Sequence, residues 1–255
     1  MSGNGLALRQ SGSGVPLVFV HGLGADGRIW SPFIEALAGE FRCVAIDLPG
    51  HGDSAELSQP QDYEFPAIAA RLHASLRQAS IAQPIIVGHS IGAVMASFYA
   101  AEFPVRAVIH IDQPLDIRER ARTVQSVQDM LRGPDFPLLW QKVRASFGLE
   151  HLPEEAGKLE ARMPLPRQPV VLGYWNELLT HEPDAYQNYV DGYLRAIRAP
   201  CAALHGVMPD PGYRDWLRQR IPQVRFDEIG VPCHFPHFVA PQKLVSVIQD
   251  AGRAV

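Results

Sequence analysis

A chain of 255 residues, 47% hydrophobic, is long enough for one large α/β domain with an insertion and has the apolar content to fill its core. Its net charge of −4 and the absence of a basic run exclude nucleic acid and anionic membrane as expected partners. No stretch is long and uncharged enough to span a bilayer, and the opening residues hold no signal-peptide core, so a soluble, cytoplasmic protein is expected.

Residues 1–14 are rich in glycine and serine and read mostly as turn, with a short strand at Leu6-Ala7-Leu8-Arg9. Leu17-Val18-Phe19-Val20 is a continuous apolar run that suits a strand buried on both faces, and it leads straight into His21-Gly22-Leu23-Gly24. A helix follows from Trp30 to Ala38, with Ser31 as its cap and Pro32 in the first turn. Cys43-Val44-Ala45-Ile46 is the next buried strand. It ends in a loop by composition, Asp47-Leu48-Pro49-Gly50-His51-Gly52-Asp53-Ser54. Ile68, Leu72 and Leu76 then mark a helix over 65–80.

Pro84-Ile85-Ile86-Val87 reads as a strand, and Ala93–Ala101 as a helix that Pro104 ends. Between them lies Gly88-His89-Ser90-Ile91-Gly92, a G-x-S-x-G pentapeptide that is weak alone. Its strand-turn-helix context is what makes it a nucleophile elbow. Val105 to Ile111 is another strand, running into Asp112-Gln113-Pro114. Alternating strands and helices predict a mainly parallel sheet with helices on both faces.

From 115 to 196 no strand is convincing. Helical segments are expected near 117–131, 136–147, 153–162, 169–180 and 184–197, with Phe136, Trp140, Phe147, Tyr174 and Trp175 among them. Such an insert reads as a helical cap or lid, which divides the chain into core 1–114, cap 115–196 and core 197–255. Alternation resumes with a strand at Cys201–Leu204, a helix near 212–220 and a strand at Val224-Arg225-Phe226. A loop follows at Cys233-His234-Phe235-Pro236-His237, then a last helix over 240–251. The three cysteines lack metal-ligand spacing, and reduced buried thiols are expected.

His21-Gly22, the Asp47–Ser54 loop, the Ser90 elbow and His234 after the last strand together resemble the α/β-hydrolase superfamily over nearly the whole chain. The resemblance implies an α/β-hydrolase fold with a mainly parallel sheet of the eight-stranded type and a helical cap like that of esterases, lactonases and carbon–carbon bond hydrolases. It also implies Ser90 as nucleophile and His234 as base. His237 is the competitor for that role, and a zinc site at the two histidines lacks further ligands. His89 is expected as a structural neighbour, and Asp47 and Asp53 as loop supports.

The acid is ambiguous. Many members of the superfamily carry it in a G-x-x-D loop, but Gly206-Val207-Met208-Pro209 has proline at that position, which leaves Asp210 as the alternative. Asp112, at the end of the strand after the nucleophile helix, matches the other known location and is favoured. The resemblance puts the oxyanion donors at the backbone N–H groups of Ile91 and Leu23. Trp140, Tyr174 and Trp175 either line a substrate pocket or pack the cap onto itself.

The expected activity is a serine hydrolase on an ester or lactone of a small to medium apolar molecule, with no metal or organic cofactor. The alternatives are a cofactor-free dioxygenase, a carbon–carbon bond hydrolase using the same His–Asp base, and a ligand receptor on a hydrolase scaffold. The sequence leaves a homodimer open.

Overall fold

A computed structural model describes residues 5–253. Seven strands among them form one sheet in the order β1-β3-β2-β4-β5-β6-β7: β1 (Leu8–Ser11), β2 (Val15–Val20), β3 (Phe41–Ile46), β4 (Ile85–His89), β5 (Ala107–Ile111), β6 (Cys201–His205) and β7 (Val224–Glu228). Every pairing is parallel except β1 with β3 at the edge. The described residues hold seven strands rather than the eight expected, with one, β1, ahead of β2. That strand is shifted from the expected Leu6–Arg9 to Leu8–Ser11, where it pairs with Cys43–Ile46.

The central strands read as uninterrupted apolar runs because both faces are covered. Leu17 to Val20 and Ile85 to Val87 have no exposed surface. Covering them are α1 (Ser31–Leu37), α2 (Phe65–Gln78) and α3 (Ile91–Glu102). α3 is apolar on all sides, and Ile91 through Ala100 are buried, as a helix at the centre of a domain must be.

Seven helices separate β5 from β6: α4 (Arg118–Ser126), α5 (Gln128–Arg132), α6 (Phe136–Ala145), α7 (Glu154–Ala161), α8 (Gln168–Tyr174), α9 (Asn176–Thr180) and α10 (Pro183–Ala196). Two segments expected as single helices are broken, at Val127 and at Trp175, where ψ rises to 15° and 7° and the ladder stops. The chain finishes with α11 (Pro211–Arg218), β7, α12 (Pro236–Val239) and α13 (Pro241–Arg253). Cys43, Cys201 and Cys233 are free and buried. No helix among the described residues is long and apolar enough to cross a membrane.

Candidate active site

The site begins where β4 turns into α3. Ser90 holds φ 54° and ψ −127°, a conformation that an L-residue adopts only under strain. Its flanking glycines are a steric necessity. A Cβ on Gly88 would lie 2.1 Å from the Gly92 carbonyl oxygen, and one on Gly92 would lie 2.4 Å from that of Val20. The Ser90 N–H donates to the Ile111 carbonyl at 3.0 Å, so the turn is tied to the next strand. Ile91 is the first residue of α3, and its amide is one that a helix leaves without an internal partner.

Asp112 repeats this arrangement one strand over. His89 pairs with Ile111, so Asp112 follows β5 in the register in which Ser90 follows β4, again with positive φ, 48°. Its N–H donates to the Leu204 carbonyl at 2.9 Å. Its carboxylate accepts from the Gly206 N–H at 3.0 Å through Oδ1 and from His234 Nδ1 at 2.9 Å through Oδ2. Burial pushes the Asp112 carboxyl up. The hydrogen bond and charge of His234 and the Gly206 N–H outweigh it and hold the group below the usual carboxylate range.

Two main-chain contacts fix His234. Its N–H donates to the Phe147 carbonyl at 2.8 Å, and its carbonyl lies 2.7 Å from His89 Nε2. His89 is fully buried, and desolvation drives its pKa down to about 3, so its ring is neutral and Nε2 carries the proton donated to that carbonyl. The rings of Phe147 and His89 each stand 4.7 Å from the His234 ring. With Nδ1 on Asp112, the free edge of His234 is Nε2, and His234 lines the same cavity as Ser90.

Asp210 is not brought here. It caps α11, its carboxylate accepting from the Tyr213 N–H at 3.0 Å. His237 is enclosed by aromatic rings, 5.2 Å from Trp30 and 5.6 Å from Phe33, and neither of its ring nitrogens has a hydrogen-bond partner. Asp47 is fully buried and accepts from Arg9, the Gly27 N–H and the Asp53 N–H, while Asp53 also meets Arg9. Both stabilise the loop that follows β3.

The first loop is fixed by the tautomer of His21. Nε2 accepts from the Leu48 N–H at 2.9 Å, so Nδ1 carries the proton and donates to the Gly22 carbonyl at 2.8 Å. That holds the turn through Leu23 against Ser90: a Cβ on Gly22 would come within 3.0 Å of the Ser90 Cβ.

The cavity over Ser90 measures about 110 Å³, and Leu23, Ile91, Trp140, Tyr174 and Trp175 all line it. The aromatic residues also pack the helical segment. Trp140 and Trp175 lie 6.3 Å apart, and the Tyr174 hydroxyl donates to the Pro49 carbonyl. Reading the sequence alone missed Tyr186, Gln113 and Arg120 on the same wall. For Tyr186 the signal was the apolar stripe of α10, on which it is a buried member; Arg120 carried no signal.

Residues 15–241 match the family described as alpha/beta hydrolase fold. Among curated proteins, the "Putative carbamate hydrolase RutD" of Escherichia coli O1:K1 / APEC is 28% identical over 133 residues, 51% of this chain and 50% of the relative. The chain thus spans about half the length of the curated relatives it matches. Among solved structures, an esterase from Thermogutta terrifontis superposes with a TM-score of 0.70 at 22% identity, covering 98% of this chain and 93% of the other. An epoxide hydrolase from Bacillus megaterium gives 0.74 at 18% identity, covering 98% of both chains. The matched span and the strand-end geometry agree, and the chain belongs to the alpha/beta hydrolase fold family.

Proposed function

We propose that the protein is a serine hydrolase that cleaves a carboxylic ester or lactone through an acyl-serine intermediate. One observation carries the reading: His234 Nδ1 rests on the Asp112 carboxylate at 2.9 Å, and His234 faces the cavity that Ser90 also lines. Asp112 fixes the tautomer, leaving Nε2 as the base that takes the Ser90 proton as its oxygen attacks the carbonyl. The amides of Ile91 and Leu23 receive the oxyanion. His234 then returns its proton to the leaving oxygen, and afterwards activates the water that releases the acid. Helices α4–α10 serve as the cap over this cavity.

Chemistry favours an acyl substrate over an epoxide. Serine attack on an epoxide leaves an alkyl ether, which an activated water does not hydrolyse, whereas an acyl-serine ester is readily hydrolysed. A carbamate is open to the same acyl attack, and the name of the curated relatives supports keeping it as the second substrate class. The test is hydrolysis of p-nitrophenyl esters of short to medium acyl chains by wild type, Ser90→Ala, Asp112→Asn and Asp210→Asn. Turnover should vanish with Ser90→Ala, collapse with Asp112→Asn and persist with Asp210→Asn. A folded wild type with no serine-dependent turnover on any acyl substrate would sink the reading.

A further inference from the structure

α4 carries three arginines in its first five residues, Arg118, Arg120 and Arg122. Arg118 and Arg122 are four apart and share a face, and both reach Asp184, at 3.7 and 3.2 Å. Arg118 also holds Asp116 through Nε at 2.9 Å. Arg120 stands about 200° round the helix from each of them. It lines the cavity over Ser90 beside Ile117, three residues earlier.

Among the described residues, no ion pair or hydrogen bond reaches the Arg120 guanidinium. The one carboxylate acting on it is its chain neighbour Glu119, at longer range. Crowding by neighbouring atoms lowers its pKa from the ordinary arginine value against that pull, but the residue itself is exposed to solvent. The cavity's other arginine, Arg144, is already matched by Glu160 on the same wall. Most of the remaining lining is apolar, including Val94, Trp140, Trp175 and Val190.

Arg120 is solvent-exposed where it lines the cavity and has no carboxylate paired with it, so an anion brought into the cavity can take its positive charge as partner. Its planar fork of donors fits a carboxylate in two-point contact. We propose that the substrate carries a carboxylate, remote from the carbonyl under attack, that pairs with Arg120 in the cavity over Ser90. The substrate class is then a half-ester or lactone acid rather than a wholly apolar ester. This deepens the hydrolase reading and rests on it only for the identity of the bond that breaks.

Binding is therefore measured without turnover. The Ser90→Ala protein is titrated calorimetrically with the monomethyl esters of succinic, glutaric and adipic acids and with their dimethyl counterparts. At least one monoanion should bind about tenfold or more tightly than its neutral partner. Added sodium chloride should weaken that preference. Arg120→Gln in the same background should abolish it without moving the melting temperature, and Arg120→Lys, which keeps the charge but not the fork, should retain only part of it. Equal affinity for anion and neutral ester, or a preference that survives Arg120→Gln, overturns the proposal. A carboxylate preference in a protein with no serine-dependent hydrolysis would instead leave Arg120 as an anion-binding group and remove the hydrolase reading alone.

Discussion

The floor and the roof of the cavity are built by different means. On the floor, backbone places each group: Ser90 and Asp112 leave adjacent parallel strands in matching register, each with positive φ and each N–H bonded to the neighbouring strand. On the roof, α4 and α6–α10 offer side chains, from helical segments that break at Val127 and Trp175 and that hold together through aromatic contacts such as Trp140 with Trp175. A ladder of hydrogen bonds tolerates little displacement, whereas packed side chains on short helices can be exchanged for others of similar volume. In the proposed hydrolase, the floor would carry the chemistry and the roof the choice of substrate.

The floor should fail abruptly. Ser90→Ala should lower kcat on a p-nitrophenyl ester by on the order of 10⁶-fold, a loss seen in steady-state kinetics with the melting temperature unchanged. Asp112→Asn, which removes the acceptor that fixes the His234 tautomer, should lower kcat by about 10⁴-fold. Asp210→Asn should leave kcat within a factor of two or so of wild type. Equal losses in the two aspartate variants would break the contrast.

Gly88→Ala tests the floor through stability, since its new Cβ would meet the Gly92 carbonyl at 2.1 Å, backbone that cannot swing aside. A loss of about 3 kcal/mol or more is expected by chemical denaturation. A fully stable variant would show that the turn relaxes more easily than its contacts imply.

Acid should also strike the floor first. Desolvation lowers the pKa values of the buried histidines around the sheet, to about 3 for His51, His89 and His110, with His21, His205 and His237 shifted the same way. The unfolded chain takes up these protons near pH 6.5 and the folded protein does not. Stability is therefore full above about 6.5 and falls as pH drops from there toward 3, by up to about 1.4 kcal/mol per pH unit for each histidine. Melting temperatures across pH 4–8 read this out, and a flat profile below 6.5 would contradict it.

The roof should give the smallest and most selective effect. Trp140→Ala should enlarge the cavity and move the acyl-chain preference toward longer esters by about tenfold in relative kcat/KM, with the Ser90 dependence retained. An unchanged preference would assign Trp140 to packing alone.

The fold and the geometry of the floor were largely legible from residue order. A nucleophile elbow needs glycines at fixed offsets, buried parallel strands need continuous apolar runs, and both constraints act within a few residues of one another. Residue order favoured Asp112 over Asp210, but the contacts that separate the two aspartates are not local. They are made by β6, whose following amide at Gly206 points at Asp112, and by α11, whose first turn claims the Asp210 carboxylate as a cap. The placement of His234 was equally remote. Phe147, 87 residues upstream, accepts its N–H, and Gly148 beside it must be glycine because a Cβ there would lie 2.1 Å from the Pro232 carbonyl.

By itself, then, the sequence determined what short-range sterics and periodicity control: the alternating sheet, the strained serine and the helical stretch between β5 and β6. Only the tertiary structure decided which carboxylate meets His234, which aromatic rings face the cavity and which of the three arginines on α4 is left without a partner. These outcomes depend on distances between segments far apart in the chain, and no local spacing of residues encodes them.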